Sequence, residues 1–554
     1  MNYENEYKRW LESDKLAVSE KNYLKELSRE EADDSFYRDL EFGTGGLRGV
    51  MGLGTNRMNI YTVRRATQGL ASEILDCGAD FAEKGVVIAH DSRNNSREFA
   101  LEAANVLCAN GIKIYLFDDL RPTPELSFAV RYLNCARGIV ITASHNPKEY
   151  NGYKVYGEDG GQIPPQTADK IIKYIDDTDI FDGVKLCDEP KINIIGEEID
   201  SAYIKAVKEQ SLGTKIPDDF KVVYTPLHGS GNIPVRRILT ETGVKNVFTV
   251  PEQEKPDGNF PTVKSPNPEN SEAFDIAIEY AKKQSADLVF GTDPDSDRIG
   301  VVVKTLDGEY KVLNGNQTGC LLLEYILRKE KENGTLPENG AVVKTVVTSE
   351  LVRRIADDYG IITLDVLTGF KFIGEKIKAF ENSGEHSFVF GLEESFGYLK
   401  GTYARDKDAV VAAMLICEAA ADYKQRGMTL YDGLMELYEK YGFCAQKLKT
   451  LTLSGIDGSE KIQKMMHKFR NENMPFEVTQ KLDYKDGLDG LPKSDVLKFI
   501  LPNGWFAVRP SGTEPKIKFY FEIFGDTLEN AYDDLNDLAK DIFGINGRKG
   551  NCEE

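Results

Sequence analysis

Short apolar runs along the chain end in polar loops, and stretches with helical spacing follow several of them. Six segments share this pattern, at residues 85–93, 138–147, 221–231, 286–298, 340–349 and 387–395. Strands that alternate with helices are typical of α/β units with parallel or mixed sheets. In such sheets, ligands bind at the carboxyl ends of strands, which is where these polar loops lie.

The pattern changes in the C-terminal fifth of the chain. Three apolar runs, separated by a Pro-Asn-Gly turn at residues 502–504 and by a second loop, predict neighbouring strands. Alternation in the last run predicts an antiparallel sheet with one buried face, and residues 527–544 predict a helix that covers it. The apolar positions of that run are Ile517, Phe519, Phe521 and Ile523, and Lys518, Tyr520 and Glu522 lie between them.

The length of 554 residues predicts several domains rather than a single core. We predict an α/β protein with three related mixed-sheet α/β domains and a smaller C-terminal α+β domain. A charged helical extension is predicted for residues 1–40. The predicted domains span residues 41–212, 213–316, 317–443 and 444–554.

The charge balance restricts the class of partner. Lys and Arg total 69 and Asp and Glu total 90, which gives a net charge of −21. Because no basic excess is available to neutralise phosphates, we expect no nucleic-acid partner and no acidic membrane partner. An anionic ligand must therefore be held by local basic groups.

The cysteines and the apolar runs indicate a reducing, water-filled compartment. The eight cysteines are scattered, without a CxxC pair or zinc-site spacing. The first residues are charged and lack the apolar stretch of a secretory signal. No apolar run approaches the roughly 18–20 residues of a membrane span. We therefore expect a cytoplasmic protein.

The loop at residues 293–298 carries three carboxylates at alternating positions, on Asp293, Asp295 and Asp297, followed by Arg298. Crowded carboxylates repel one another unless a cation lies among them, and hard oxygen ligands suit Mg²⁺ or Ca²⁺. An EF-hand would need Gly at position 298 and Glu at 304, where this chain has Arg and Lys. A magnesium site open to a phosphate oxygen is the better interpretation, and a solvated acidic loop is the alternative.

The loop at residues 509–516 combines anion-binding groups. It contains Arg509, Ser511, Gly512, Thr513 and Lys516. Guanidinium donors, hydroxyls and a glycine backbone together make a small phosphate site. A Walker A motif does not occur, and a plain tight turn is the alternative interpretation.

Two further loops carry weaker signals. Residues 42–54 are dense in glycine around Arg48, and this backbone could approach a ligand closely. Glu393 and Ser395 follow a predicted strand, and Lys407 lies beyond them. A carboxylate and a hydroxyl suit sugar hydroxyls, although the glutamate could equally lie on the surface.

Ser144 and His145 directly follow the apolar run at residues 138–141. Adjacency does not make them a hydrolase pair, because a triad is assembled in space, and no GxSxG elbow is present. A serine at a strand end, in a chain that also carries a carboxylate loop and an anion site, suggests a phosphate acceptor. Lys154 is a candidate proton donor or acceptor, and His145 could simply bond a neighbour within its loop.

Four motifs, in order, resemble those of the α-D-phosphohexomutase superfamily. They are TASHNP with Ser144, DPDSDR with the three aspartates, LEES with Glu393, and RPSGTEPK. The EFGTGGLRG segment and the N-terminal extension resemble the subfamily of bacterial glucose phosphomutases and phosphopentomutase-type enzymes. The TGFKF segment at Thr368 and Gly369 resembles glucose mutases more than mannose mutases.

This resemblance implies four domains around a central cleft, each contributing one loop, for phosphoserine, metal, sugar and phosphate in chain order. It implies a phosphorylated Ser144, with Mg²⁺ held by Ser144 and the three aspartates. The serine would give its phosphoryl group to a sugar monophosphate, form glucose 1,6-bisphosphate, and recover the other phosphoryl group after the intermediate turns over.

The resemblance also implies roles for individual residues. Arg48 and Arg298 would stabilise the transferring group, and His145 and Lys154 would act as general acid and base. His228 could line the cleft. The substrate-binding set would be Thr368, Gly369, Glu393, Ser395 and Lys407, and the phosphate-binding set Arg509, Ser511, Gly512 and Thr513.

The expected activity is interconversion of glucose 1-phosphate and glucose 6-phosphate. Phosphopentomutase, phosphomannomutase and glucose 1,6-bisphosphate synthase activities stay open as alternatives. A metal-dependent phosphatase would not need the second phosphate loop, and a silent binding protein would leave Ser144 unexplained. The expected partner is a sugar monophosphate, and the expected assembly is a monomer or a homodimer.

Overall fold

The computed structural model describes residues 3–43, 45–453, 458–511 and 516–545. Three short helices form the N-terminal extension, where the sequence predicted helical structure. The third begins at a capping box, in which the Ser28 side chain accepts from the Glu31 amide and the Glu31 carboxylate accepts from the Ser28 amide. Trp10 is fully buried against Phe36 and Tyr61. The helices are α1 (Tyr3–Glu12), α2 (Val18–Glu26) and α3 (Arg29–Phe36).

The first sheet has six strands in the order β1-β5-β4-β2-β3-β6. Strands β2, β3, β4 and β6 are parallel, and β5 runs antiparallel to both β4 and β1. Apolar clusters cover both faces, as the continuous apolar runs predict. The strands are β1 (Gly46–Val50), β2 (Val86–His90), β3 (Ile114–Phe117), β4 (Arg137–Ile141), β5 (Tyr150–Gly157) and β6 (Ile192–Ile195), and the helices are α4 (Ile60–Asp76), α5 (Ala79–Glu83), α6 (Ser96–Ala109), α7 (Thr123–Tyr132), α8 (Pro165–Asp176) and α9 (Glu197–Lys208).

The second sheet has five strands in the order β11-β10-β9-β7-β8. Strand β9 is parallel to β7 and antiparallel to β10. The strands are β7 (Lys221–Thr225), β8 (Asn246–Thr249), β9 (Leu288–Thr292), β10 (Ile299–Lys304) and β11 (Tyr310–Val312), and the helices are α10 (Asn232–Glu241), α11 (Pro251–Glu254), a 3₁₀ turn (Ser271–Phe274) and α12 (Asp275–Gln284).

The third sheet has four strands in the order β13-β12-β14-β15. Strand β14 is parallel to β12 and antiparallel to β15. The strands are β12 (Gly340–Thr345), β13 (Ile362–Val366), β14 (Ser387–Glu393) and β15 (Gly397–Lys400), and the helices are α13 (Gly315–Asn333), α14 (Leu351–Asp358), α15 (Phe370–Ser383), α16 (Ala409–Gln425) and α17 (Leu430–Tyr441).

The fourth sheet is wholly antiparallel, in the order β16-β20-β19-β18-β17. The four apolar positions predicted on its last strand pack against its two helices in one core. The strands are β16 (Phe443–Thr452), β17 (Gln480–Asp483), β18 (Leu497–Leu501), β19 (Gly504–Pro510) and β20 (Lys516–Gly525), and the helices are α18 (Gly458–Asn471) and α19 (Leu528–Ile545).

The expectation of a half-buried C-terminal sheet is wrong. Tyr520 is 5% exposed and Glu522 is fully buried, although both lie on the face that the alternation assigned to solvent. That face packs against the third domain, where Tyr520 and Trp505 share a cluster with Val346 and Val347. The polar residues are buried because a neighbouring domain, rather than water, covers them.

The same four-strand unit occurs in the first three sheets. Its order is β3-β2-β4-β5 in the first, β8-β7-β9-β10 in the second and β13-β12-β14-β15 in the third. The last strand of each unit returns antiparallel through a short hairpin. The predicted fold class, three mixed-sheet α/β domains and a C-terminal α+β domain, is confirmed.

Three return strands were missed in the sequence. Helices were expected directly after the polar loops, whereas β5, β10 and β15 each come first. The four sheets draw their strands from within residues 46–195, 221–312, 340–400 and 443–525, and the domain boundaries given above stay our proposal. Among the described residues, we find no helix with the length and apolar content that a membrane crossing needs.

Candidate active site

Ser144 lies in the hairpin turn between β4 and β5. Its backbone is in the left-handed region, with φ of 53°, and its side chain is almost fully buried. Its Oγ donates to Asp293 Oδ2 at 2.7 Å and lies 3.1 Å from His145 Nδ1. A positive φ at a residue other than glycine indicates that the surroundings impose the conformation. The turn therefore fixes the hydroxyl against a carboxylate of the second domain.

Arg93 holds the turn around Ser144. Its buried guanidinium donates to the carbonyl oxygens of Ser144 and Asn146, and to those of Pro147 at 2.9 Å and Tyr150 at 3.1 Å. The forked donors of arginine can satisfy several carbonyls at once, which a lysine cannot do. One side chain therefore fixes most of the backbone that carries the serine.

Neighbouring residues hold Arg93 in turn. Its Nε lies 3.3 Å from Asp91 Oδ2, and its guanidinium lies over the Phe260 ring of the second domain at 5.1 Å. Thr142 donates to Asp91 at 2.6 Å and accepts from the Ser144 amide at 2.8 Å. Arg93 lies in one of the predicted strand units, but no role was predicted for it. An Asp-x-Arg at the end of β2 was the available signal, since parallel β2 and β4 end at the same sheet edge.

The three aspartates occupy the hairpin turn between β9 and β10. All are buried, and one carboxylate oxygen from each lies within 4.8 Å of the others. Asp293 Oδ1 accepts from the amides of Asp297 at 3.2 Å and Arg298 at 3.0 Å, so the loop folds around its first carboxylate. The structure brings together the predicted aspartates and the predicted serine.

This donor set fits a divalent cation. Asp295 Oδ1 and Asp297 Oδ1 are buried and have no hydrogen-bond partner in the described part of the chain. Burial raises the pKa of Asp293 well above its usual value, and Asp295 and Asp297 add to the shift. Buried carboxylate oxygens that repel one another are suitable ligands for a hard cation such as Mg²⁺ or Ca²⁺.

Two lysines from other domains meet these carboxylates. Lys154, on β5, lies 2.8 Å from Asp295 Oδ2, and Lys407, before α16, lies 2.8 Å from Asp297 Oδ2. Burial alone would lower the pKa of Lys407, but Asp297 and Asp406 outweigh it and raise that pKa. Charges from three domains therefore converge on the aspartate loop.

The segment that carries Lys407 is fastened to the first domain. Tyr156 donates to Asp406 Oδ2 at 2.7 Å, and Gln162 donates to the same oxygen at 3.1 Å. Tyr203 donates to Asp408 Oδ2 at 2.8 Å. The position of Lys407 thus depends on side chains of a domain that is distant in sequence.

Glu393 ends β14 at the third of these hairpin turns. It is buried and accepts from the Gly369 amide at 2.9 Å, which joins two of the predicted substrate-binding segments. Burial raises the pKa of Glu393 to about 7, with Lys407 opposing the rise and Glu394 adding to it. Ser395 and Thr368, on either side, are half-buried.

Arg298, Arg48 and His145 surround the serine. Arg298 forms an ion pair with Glu269, and Arg48, on β1, donates to Asn146 Oδ1 at 3.4 Å. Burial and the positive charges of Arg298 and Arg48 lower the pKa of His145 well below its usual value. The imidazole is therefore neutral at neutral pH, with one ring nitrogen that carries a hydrogen and one that can accept.

The fourth predicted loop is described only at its ends. Arg509 is the next-to-last residue of β19, opposite Lys518, and the Ser511 amide donates to the Lys516 carbonyl at 2.7 Å across the mouth of the loop. Gly512 and Thr513 lie outside the described residues. His228, expected near the cleft, has both ring nitrogens engaged, with the Lys255 carbonyl and the Thr262 hydroxyl, so its contacts are structural.

Family models match along most of the chain, in domain order. The phosphoglucomutase/phosphomannomutase α/β/α domains I, II and III match residues 39–180, 201–308 and 314–441, and the C-terminal domain of the same family matches residues 453–537.

Curated relatives named phosphoglucomutase match over nearly their whole length. The protein from Staphylococcus saprophyticus is 38% identical over 541 residues, covering 94% of this chain and 97% of its own. A protein from Staphylococcus epidermidis is 38% identical over 537 residues, covering 93% and 96%. Identity at this level over almost all of both chains indicates common descent.

Solved structures share the fold at lower identity. Parafusin of Paramecium, a phosphoglucomutase in its open form, superposes with a TM-score of 0.70 at 19% identity, covering 93% of this chain and 96% of its own. A phosphoglucomutase/phosphomannomutase family protein from Burkholderia thailandensis superposes with a TM-score of 0.68 at 20% identity, covering 92% and 98%. With four family domains in order, this chain belongs to the phosphoglucomutase/phosphomannomutase family.

Proposed function

We propose that this chain interconverts glucose 1-phosphate and glucose 6-phosphate by passing phosphoryl groups through Ser144. The observation that carries the proposal is the 2.7 Å contact between Ser144 Oγ and Asp293 Oδ2, where a buried hydroxyl meets a cluster of carboxylates. The relatives named phosphoglucomutase support glucose as the sugar.

Asp293, Asp295 and Asp297, with an oxygen on Ser144, would hold a divalent cation, which we propose to be Mg²⁺. When bound, this ion would neutralise charge on the phosphoryl group that is being transferred. Asp295 Oδ1 and Asp297 Oδ1 support the assignment, because they are buried oxygens that accept no hydrogen bond from the described residues and can coordinate a cation instead. Arg48 and Arg298 would add positive charge around the same group.

The reaction exchanges one phosphate ester for another. The bond between Ser144 Oγ and phosphorus breaks as a free hydroxyl of the sugar monophosphate bonds to phosphorus, which yields glucose 1,6-bisphosphate. In this step the attacking hydroxyl loses a proton and Ser144 Oγ gains one. His145, which lies 3.1 Å from Oγ, and Lys154 are the proposed acid and base for these two transfers. The bisphosphate then reverses its orientation in the site, and its other phosphoryl group returns to Ser144.

This reorientation of the bisphosphate requires a site that holds the sugar in two orientations. Glu393, Ser395, Lys407, Thr368 and Gly369 are the proposed contacts for the sugar. Hydroxyl groups can pair with these groups from either direction, because carboxylate and hydroxyl oxygens accept over a wide range of angles. The proposed contacts for the phosphate that is not reacting are Arg509, Ser511, Gly512 and Thr513.

Replacement of Ser144 tests the covalent route. Ser144→Ala should lose at least about a thousandfold in turnover, because no acceptor remains for the phosphoryl group. Intact mass should show one added phosphate on part of the wild-type protein and none on the variant. Ser72→Ala, which removes a helix hydroxyl bonded to the Gln68 carbonyl, is the control and should keep full activity. A fully active Ser144→Ala would overturn the proposal.

A substrate panel separates the alternatives. The 1-phosphates of glucose, mannose, ribose and deoxyribose are each supplied with catalytic glucose 1,6-bisphosphate, and isomer and free phosphate are measured. We expect the highest kcat/KM for glucose 1-phosphate and no free phosphate beyond a trace. Preference for a pentose or mannose phosphate would reassign the sugar, and stoichiometric phosphate release would indicate a phosphatase.

A further inference from the structure

Two cysteines far from the aspartate loop lie side by side. Cys108, in the last turn of α6, has its sulphur 2.8 Å from the sulphur of Cys187. Cys187 lies in residues 177–191, a segment between α8 and β6 that we call the strap. A disulfide bond is about 2.05 Å long, so bonding requires the two sulphurs to approach by less than about 1 Å.

The surroundings favour reaction of this pair over the buried cysteines, and Cys77, which is exposed, has no cysteine in contact with it among the described residues. Cys108 and Cys187 are both partly exposed, so a small solute can reach them. The strap has no helix or strand of its own at Cys187, so it can adjust to the geometry that a disulfide demands. By contrast, Cys135, Cys320 and Cys417 are fully buried.

The strap connects the first domain to the N-terminal helices. Its Asp179 forms an ion pair with Arg9, and its Phe181 ring packs against Trp10 at 5.2 Å between centroids. Its Lys185 amide donates to the Gln68 side chain on α4 at 3.1 Å. A bond from Cys187 to α6 would therefore fasten the strap, and the helices it holds, to the body of the domain.

We propose that Cys108 and Cys187 form a reversible disulfide when the protein meets a peroxide. The thiolate of one cysteine attacks a peroxide oxygen, which breaks the O–O bond, releases water and leaves a sulfenic acid. The second sulphur then attacks the first, the S–S bond forms, and the hydroxyl leaves as a second water. Two thiols are oxidised and one hydrogen peroxide is reduced to two waters. A small dithiol reverses the change by exchange.

Peptide mapping tests the bond directly. The whole protein is treated with hydrogen peroxide and its free thiols are alkylated. It is then digested, and the peptide masses are measured by mass spectrometry without reduction. We expect a linked pair containing Cys108 and Cys187, two hydrogens lighter than the sum of the reduced peptides, which disappears after dithiothreitol. Recovery of both residues alkylated, or each as a separate sulfinic or sulfonic acid, would overturn the proposal. A link that forms only between two copies would overturn it as well.

Thermal unfolding gives a second readout. Cross-linking residues far apart in sequence restricts the unfolded chain, so the oxidised protein should unfold about 5 °C or more above the reduced protein. Cys108→Ser and Cys187→Ser should each abolish this shift, and Cys77→Ser, which removes an exposed thiol at the end of α4, should keep it. An equal shift in all three variants would place its origin elsewhere and contradict the bond.

Discussion

Ser144 holds a left-handed backbone conformation that costs an L residue about 1–2 kcal/mol. Arg93 donates to four carbonyl oxygens in and after the same turn, and these charged hydrogen bonds offset the cost. The arrangement aims the serine Oγ at Asp293. Arg93 is therefore a positioning residue for the proposed phosphoserine, and its hydrogen bonds and its ion pair go to the turn and to Asp91 rather than to Asp293, Asp295 or Asp297.

Arg93→Lys should lower kcat/KM by roughly 10- to 100-fold, because a lysine keeps the charge but cannot reach four carbonyls. The fraction of protein carrying a phosphate, read from intact mass, should fall as well, which a general loss of stability would not cause. The control is Arg97→Lys in the first turn of α6, where the arginine side chain donates to the Asp118 carbonyl at the surface. Equal effects from both changes would contradict a positioning role for Arg93.

Glu393 should impose an acidic limit on activity. Because its pKa is raised to about 7, the carboxylate that accepts from the Gly369 amide is lost as pH falls below 7. We expect kcat/KM to fall about tenfold per pH unit below that point. In Glu393→Gln, the fall in kcat/KM near pH 7 should disappear, and the pH-independent value of kcat/KM should be lower than in the wild type. Glu385→Gln, at an exposed site, should keep the wild-type profile.

The raised pKa of Glu393 also makes the free energy of unfolding depend on pH. A raised carboxyl pKa contributes stability below the unfolded value of 4.5, and that contribution is lost as pH rises through about 7. At pH 8 the wild type buries a charge, so Glu393→Gln should raise the free energy of unfolding by about 3 kcal/mol. At pH 5 the gain should be small. A gain that does not depend on pH would contradict the shift.

At the level of residues, the sequence predicts which side chains carry functional groups better than it predicts which residues contact one another. The aspartates and Ser144 could be predicted because each cluster follows an apolar run and has residue types that loops do not need. The Asp-x-Arg at the end of β2 could place Arg93 near the site but not predict its role, because its acceptors are backbone carbonyls, and every residue carries one. The roles of Ser144, the aspartates and the other site residues stay predictions until the variants above are measured.

At the level of elements, the hairpin after each central parallel strand places the chemistry. The turns β4–β5, β9–β10 and β14–β15 carry Ser144, the aspartates and Glu393 in that order. The central parallel strands β2, β4, β7, β9, β12 and β14 could be predicted from continuous apolar runs, whereas the outer parallel strands β3, β6, β8 and β13 were not. The return strands were missed because β5 is rich in tyrosine and glycine, and because β10 directly follows a polar turn after which a helix was expected.

Gly152 on β5 should be the most sensitive position of the first hairpin. A Cβ there would lie 2.5 Å from the Thr142 carbonyl and 3.0 Å from the Leu47 carbonyl, both of which are backbone atoms that cannot move aside. Gly152→Ala should cost about 1–3 kcal/mol, seen as a lower Tm, and should lower activity further by displacing the Ser144 turn. Gly161→Ala, whose Cβ would find its nearest neighbour at 3.6 Å, is the control. Equal Tm values would refute the close approach.

Across the whole molecule, the centre belongs to no single domain. Ser144 and Lys154 come from the first, the aspartates from the second, and Glu393 and Lys407 from the third. Sequence could predict that each strand end carries a group, but not that Tyr156 of one domain fixes the segment of Lys407 in another. Long-range packing of this kind leaves no local pattern, and the buried Tyr520 and Glu522 were misread for the same reason.

Chelation should therefore affect the protein beyond catalysis. EDTA should abolish turnover and Mg²⁺ should restore it, and Mg²⁺ at 100 times its Kd should stabilise the protein by about 2.7 kcal/mol, seen as a higher Tm. Ca²⁺ should also raise the Tm but support turnover poorly, because its coordination is looser. Asp295→Asn should lose both effects, while Asp218→Asn, an exposed aspartate near β7, keeps them. A Tm shift retained in Asp295→Asn would reject the site.

The three equivalent hairpin turns also bear on how such a centre can change over evolutionary time. A turn joins two strands that are already paired, so its length and residues can vary without altering the sheet that supports it. Each turn carries a different set of proposed functional residues, and each lies in a separate copy of one unit. If these roles hold, selection can alter the proposed sugar contacts at Glu393 and Ser395 while Ser144 and the aspartates stay fixed, so substrate preference can diverge among descendants that retain one phosphoryl-transfer chemistry.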